Sequence, residues 1–179
     1  MNIRKGTEKD IDAVAAIYER THTAEENGTA VIGWKRGIYP LRETALAALA
    51  RDDLFVIEEE GTVVGTGILN KTQVDVYSEG RWRHKADDSE VMVMHTLVID
   101  PAAKGKGYGK SFARFYEQYA LDKGCPYLRI DTNEKNAAAR RFYRRLGYEE
   151  IGVVPCVFNG LEGVRLVLIE KCLNEKRTR

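Results

Sequence analysis

Cysteine is scarce in this chain, with three in 179 residues. Cys125, Cys156 and Cys172 are far apart and odd in number, which excludes a disulfide framework and a CxxC metal site. No cluster of metal-ligand spacing is found, so no metal is expected. No apolar run is long enough to cross a bilayer, and Met1–Gly6 leads into a charged stretch without the apolar core of a signal peptide. A reducing cytoplasm is therefore the expected compartment, with no membrane partner. An excess of either charge is also lacking: 28 Lys and Arg stand against 27 Asp and Glu, for a net charge of +1. That balance argues against a general nucleic-acid binder, and the short basic run Arg81-Trp82-Arg83-His84-Lys85 reads as a solvated loop. Repeats, low-complexity stretches and linkers are absent. Hydrophobic residues make up 44% of the chain, enough for one full core and too many for a disordered chain.

Periodicity orders the elements. A short strand over 2–6 precedes a helix over 8–20, with Thr7 and Asp10 at capping-box spacing and Ile11, Val14, Ala15 and Tyr18 on one face. Residues 21–39 read as irregular, and a second helix follows over 41–51. Strands over 54–58 and 62–73 form a hairpin about Glu60-Gly61. Residues 78–89 read as an exposed loop or insertion. The apolar stretch 91–99 has the character of a central strand. A helix over 108–123, a strand over 127–132, a helix over 136–146 and a final hairpin over 149–158 and 164–168 complete the order β-α-α-β-β-β-α-β-α-β-β. Hairpins mixed with crossover helices imply a mixed sheet flanked by helices, an α/β (α+β) domain over 1–173, with a polar tail over 174–179.

The segment Leu97-Val98-Ile99-Asp100-Pro101-Ala102-Ala103-Lys104-Gly105-Lys106-Gly107-Tyr108-Gly109-Lys110 runs a strand into a glycine loop that opens a helix. Free N–H groups at a helix N-terminus make an anion site, and Lys104, Lys106 and Lys110 add positive charge. Two familiar nucleotide loops each fail here by one position. A Walker A loop needs its first glycine where Lys104 stands, and the dinucleotide fingerprint GxGxxG is replaced by GxGxG. What is left is Lys104-x-x-Gly107-x-Gly109.

That pattern, after Leu97-Val98-Ile99-Asp100-Pro101, resembles the acetyl-CoA motif of the GNAT superfamily of N-acetyltransferases. A second family pattern occurs as Asn136, Ala139, Phe142 and Tyr143, followed by Leu146, Gly147 and Tyr148. Lys104 departs from the usual Gln or Arg, keeping the charge without the planar fork. The resemblance implies splayed central strands and a CoA pyrophosphate held by amides in the span Lys104, Gly105, Lys106, Gly107, Tyr108, Gly109 and Lys110. It implies a pantetheine arm paired with the backbone of Leu97, Val98 and Ile99. It also places Asn136 and Ala139 beside the cofactor and Tyr143 near the thioester sulfur.

Acyl transfer to an amine poses two proton problems. An alkyl ammonium of pKa about 10.4 must become neutral to attack, and the leaving thiolate must be protonated. Tyr143 is the candidate acid. For the base the residues leave open Glu90, at the start of the central strand, His95 within it, or a chain of waters. Trp34 and Tyr39 are candidates to line an acceptor pocket, with His95 nearby, and Glu25 or Glu26 to attract a cationic amine. The expected reaction is acetyl transfer from acetyl-CoA to a primary amine of a small molecule. Two alternatives stand: a protein or peptide amine as acceptor, and a non-catalytic acyl-CoA-binding module. The final hairpin is able to pair across a homodimer. Residues 104–145 hold 11 basic and 4 acidic residues, so the neutral total conceals a positive stretch suited to an anionic cofactor.

Overall fold

The helix register beginning at Ile11 starts the assembly of the fold. In the computed structural model, which describes residues 1–174, Thr7 and Asp10 form the expected capping box, with the Thr7 amide donating to Asp10 Oδ2 at 2.8 Å. The elements are β1 (Asn2–Lys5), α1 (Ile11–Glu26), α2 (Arg42–Ala50), β2 (Leu54–Glu59), β3 (Thr62–Asn70), β4 (Val91–Ile99), α3 (Tyr108–Asp122), β5 (Tyr127–Asn133), α4 (Ala137–Arg145), β6 (Glu149–Phe158) and β7 (Leu161–Cys172). Their order is the expected one. Of the polar tail expected over 174–179, only Asn174 lies within the described residues.

The seven strands run in the order β1-β2-β3-β4-β5-β7-β6. The pairs β1–β2, β2–β3, β5–β7 and β6–β7 are antiparallel, and β4–β5 is parallel, so the sheet is mixed. The β4–β5 ladder has three pairs, Val91–Val93 with Tyr127–Arg129. That is short for strands of nine and seven residues, as expected of splayed central strands.

Two units can be distinguished, and β4 and α3 each run through both. The first comprises residues 1–69 and 95–115. Ile11, Val14, Ile17 and Tyr18 of α1 are buried with Ala45 and Ala48 of α2, Leu54 and Val56 of β2, Ile68 of β3 and Val98 of β4. Helix α1 outruns its expected end at residue 20. Ala24 is buried, and the Thr21 and Thr23 hydroxyls return hydrogen bonds to the Ile17 and Glu19 carbonyls (2.8 and 3.0 Å), an i−4 pattern compatible with a continuing helix. In β3, a Cβ on Gly67 would stand 2.6 Å from the Phe112 ring. The glycine therefore allows Phe112 of α3 to lie directly on the sheet.

The second unit comprises residues 70–94 and 116–179. Tyr116 of α3 is fully buried, and its hydroxyl donates to Met92 O of β4 (2.6 Å) and is within hydrogen-bonding range of Arg129 O of β5 (3.2 Å). The segment expected as an exposed loop over 78–89 is exposed at eight of its twelve positions and is anchored at Trp82. Trp82 is half-buried against Tyr77 (ring centroids 5.1 Å) and its indole N–H donates to Tyr77 O, while Arg129 stacks on the Trp82 ring at 4.1 Å. Ser78, Glu79, Arg81, Arg83, Lys85, Asp87, Asp88 and Ser89 are exposed. An aromatic pair packed on an apolar strand face anchors the segment, a contact that its charge pattern does not announce. Strand β7 extends beyond the expected 164–168 to twelve residues because it pairs with β5 on one side and β6 on the other.

Arg4 bridges Asp10 and Glu58, joining β1, the start of α1 and β2. Its hydrogen bond is the main cause of an Asp10 pKa lowered to about 2, against the opposing effect of burial, with Thr7 contributing further. A depressed carboxylate stabilises the fold above its unfolded pKa and loses that contribution as pH falls through the folded value. Asp10→Asn is expected to cost about 2 kcal/mol at pH 7 and little at pH 2, as read from urea midpoints at the two pH values.

Candidate functional site

In the first unit the candidate residues gather at the C-terminal end of β4. Thr96 interrupts the extended backbone with a φ of +52°, a left-handed conformation that a β-branched residue rarely takes. Its hydroxyl is hydrogen-bonded to the hydroxyl of Tyr39, so the segment between α1 and α2 is tied to the strand where the strand turns. Tyr39 packs edge-on against Trp34, with centroids 5.9 Å apart and an interplanar angle of 82°. Both are half-buried, as is His95. The acidic residues expected to attract a cation are already engaged. Glu25 accepts from the amides of Ile32 and Gly33. Glu26 pairs with Arg36, which also meets Glu19 and the Thr23 hydroxyl. These contacts tie the segment 27–41 to α1 and to Thr96.

Beyond Ile99 the chain makes a single turn over Pro101–Ala103, and Asp100 accepts from the Ala102 amide at 3.0 Å. Gly105 and Gly107 both have φ of +85°, which L-residues resist. Gly107 places its carbonyl to accept from Ser111 N (3.1 Å), opening α3. The amides at the start of α3 have no helical acceptor and lie beside the exposed Lys104, Lys106 and Lys110. The loop is anchored at its root. Arg20 of α1 makes two bonds to the Asp100 carboxylate, at 3.1 and 2.7 Å. Burial pushes the Asp100 carboxyl up, but the Arg20 bond, the Ala102 amide and the Arg20 charge outweigh it and leave the pKa lowered.

The second unit holds the other candidates. Asn136 is buried and caps α4, its Oδ1 accepting from Ala139 N at 3.0 Å. The side-chain oxygen is thus engaged, and the amide NH2 is the group left to donate to a ligand. Ala139 is half-buried on α4. Tyr143 is buried near the end of that helix, with its ring against Phe142 (5.0 Å) and Tyr148 (5.6 Å). Burial, and next the charge of Asp131, push its hydroxyl above the ordinary tyrosine range, so it is protonated at neutral pH. Glu90 is exposed and ends a short turn in which its carboxylate accepts from Asp87 N at 3.3 Å.

Two groups escaped the sequence reading. The turn at Thr96 has no signature in residue type. Asp131 is a half-buried acid in the middle of β5, and Tyr77 donates to its Oδ2 at 2.8 Å. A charge inside an otherwise β-like stretch, directly before the second motif, was the available signal. No group of three or more His, Cys, Asp or Glu among the described residues is arranged to hold a metal ion. No helix among them is long and apolar enough to cross a membrane.

The family model for the acetyltransferase (GNAT) family matches residues 11–148. An uncharacterized N-acetyltransferase of Methanocaldococcus jannaschii, MJ1207, is 26% identical over 158 residues, covering 85% of this chain and 62% of that protein. This chain thus spans less than two thirds of that relative. A second from the same organism, MJ1530, is 25% identical over 173 residues, 96% of this chain and 92% of its own. Among solved structures, a GNAT-family acetyltransferase from Streptococcus agalactiae superposes with a TM-score of 0.76 at 26% identity, over 98% of this chain and 96% of that one. The yncA protein of Salmonella typhimurium, solved with its cofactor acetyl-CoA, superposes with a TM-score of 0.68 at 21% identity, over 100% and 97%.

Arg20→Met is expected to loosen the glycine loop by removing the counter-charge of Asp100. Hydrogen exchange at the Ala102 and Ala103 amides should quicken severalfold, the effect of at most about 1 kcal/mol. In the wild type the same amides should lose protection as pH falls through the depressed Asp100 pKa, and in the variant they should do so at higher pH.

Proposed function

We propose that this chain, which belongs to the GNAT acetyltransferase family, moves an acetyl group from acetyl-CoA to a primary amine of a small molecule by direct attack in a ternary complex. The observation that carries the donor half is the loop after β4. Two left-handed glycines, a helix N-terminus and three lysines suit a pyrophosphate. Amides of residues 104–110 would hold it, and the backbone of Leu97, Val98 and Ile99 would pair with the pantetheine arm as an added strand does. The acetyl-CoA bound in the yncA structure supports the same donor here.

The acceptor half rests on the segment between α1 and α2. Residues 27–41 are clasped by Glu25 and Arg36 and tied to Thr96 through Tyr39. A segment held in this way, carrying Trp34 and Tyr39 beside β4, suits a small amine as acceptor.

Tyr143 acts on the leaving group. A buried tyrosine with a raised pKa is a poor proton donor to a solvated thiolate of pKa about 8.5. It is a good hydrogen-bond donor to a desolvated one, whose own pKa rises by the same physics. Positioning of amine and thioester supplies much of the remaining acceleration.

A panel of amines (polyamines, amino acids, aminoglycosides, arylalkylamines and short peptides) with CoA release as readout tests this reading. Release with a small amine is expected. Preference for peptides would overturn the acceptor class, and acetyl-CoA binding with no release by any amine would overturn catalysis. Tyr143→Phe should lower kcat by about 10- to 100-fold while leaving the calorimetric Kd for acetyl-CoA unchanged. Gly107→Val forces a β-branched residue into left-handed backbone, at a cost of about 1–2 kcal/mol. It should weaken acetyl-CoA binding at least tenfold with little change in the circular dichroism spectrum.

A further inference from the structure

A carboxylate on a largely apolar sheet face needs a reason to be there. Asp131 pairs across the ladder with the fully buried Leu168 of β7. Leu168 belongs to the apolar cluster formed by Tyr77, Val91 and Val93, with Trp82 and Val154 packed against it. Burying a charge in such a place is costly unless it is paired. Among the described residues no cation pairs with Asp131. Its one hydrogen bond is the 2.8 Å contact from the Tyr77 hydroxyl to Oδ2, which leaves Oδ1 to a ligand. Tyr77 is itself fixed, buried and locked by Trp82, whose N–H donates to the Tyr77 carbonyl. The carboxylate is thus aimed by a rigid donor and lacks a positive partner.

The groups that face it come from four elements. Tyr77 lies on the turn 75–79, Arg129 on β5 itself, Tyr143 on α4 and Cys156 on β6, where the charge of Glu79 is also felt. The charge of Asp131 is felt at the Tyr77 and Tyr143 hydroxyls and at the Cys156 thiol. Arg129 is turned to Trp82 and Gln73. Burial raises the Asp131 carboxyl more than the Tyr77 bond lowers it, which strengthens it as a base.

We propose that Asp131 is the carboxylate that receives the ammonium group of the acceptor and takes its proton, with Tyr77 as the residue that positions it. This rests on the transferase reading above. The acceptor R–NH3⁺ gives one proton to Asp131 and becomes R–NH2. The nitrogen lone pair forms a C–N bond to the thioester carbonyl carbon, the nitrogen sheds a second proton, and the C–S bond breaks with its electron pair on sulfur. One proton ends on that sulfur through Tyr143, and the other passes from Asp131 to solvent. The balance is R–NH3⁺ plus acetyl-CoA giving the acetamide, CoA–SH and H⁺. Glu90 is exposed at the start of β4 and its carboxylate accepts from the Asp87 amide.

Asp131→Asn keeps the shape and an acceptor for Tyr77 while removing the charge. With the amine that turns over best, kcat/KM at pH 7 should fall at least 100-fold, with an unchanged Kd for acetyl-CoA. The loss should shrink as pH rises toward the pKa of the amine, because solvent then performs the deprotonation. Tyr77→Phe should show a smaller loss, about tenfold, and a shifted acidic limb in the pH–rate profile. Binding is read separately. In the presence of CoA, wild type should bind phenethylammonium at least tenfold more tightly than 2-phenylethanol, and Asp131→Asn should bind the two alike. Equal binding of the two by wild type, or undiminished discrimination by Asp131→Asn, overturns the proposal, as does a pH-independent loss of rate. Should no amine turn over while the discrimination behaves as expected, the transferase reading fails and Asp131 stands as an ammonium-binding carboxylate.

Discussion

A strand that completes its ladders on both sides has no backbone left for a ligand, and a strand that completes neither does not stay in a sheet. β4 meets both demands along one length of chain. Its first residues, Val91–Val93, pair with β5 and are buried. At Thr96 the backbone enters the left-handed region, which breaks the regular alternation of the strand. Such a turn at a β-branched residue costs on the order of 1–3 kcal/mol and persists only where its surroundings impose it. Here the Tyr39 hydroxyl holds the Thr96 side chain, and the Trp34–Tyr39 pair sits on a segment clasped by Glu25 and Arg36. The segment between α1 and α2 and the irregularity of the strand thus stabilise each other.

The same strand feeds the anion loop. Once Ile99 ends, direction is controlled by Asp100, which accepts from Ala102 N and is gripped by Arg20. Arg20 lies on α1, so the first helix, built to fill a core with Ile11, Val14, Ile17 and Tyr18, also anchors the root of the glycine loop. Helix α3 begins where Gly107 supplies a left-handed residue and a carbonyl. It is then pressed on the sheet by Phe112, for which Gly67 clears the space. The loop is rigid at its root and flexible in composition at its tip, as an anion site made of backbone requires.

Much of this was legible in the sequence because it rests on local rules. The strand 91–99 is apolar and ends at Asp-Pro, and its limits are those of the structure. Gly105 and Gly107 announce positive φ, and Asn136 announces a helix cap. What was not legible depends on tertiary context. Helix α1 passes residue 20 because Ala24 finds a core to enter. The segment around Trp82 is largely solvent-exposed, as its charges indicate, but the aromatic contact that anchors it follows from no local rule. Asp131 looks like an ordinary polar position of a strand until the sheet order places it opposite Leu168. Thr96 has the composition of a good strand residue and adopts the one conformation its type disfavours.

The proton chemistry follows from the same opposition of burial and charge. Burial disfavours whichever form of a group is charged, so it keeps Tyr143 as a phenol and makes the Asp131 carboxylate eager for a proton or a cation. Three carboxylates elsewhere among the described residues have a guanidinium beside them: Asp10 has Arg4, Asp100 has Arg20, Glu150 has Arg140. Those pairs are closed, and their pKa values move down. Asp131 has a neutral tyrosine donor in place of a guanidinium, and its pKa moves up. A fold selected for stability alone would put an apolar residue or a paired charge at that position. An enzyme that must strip a proton from an ammonium group near neutral pH needs a carboxylate whose counter-ion arrives with the substrate.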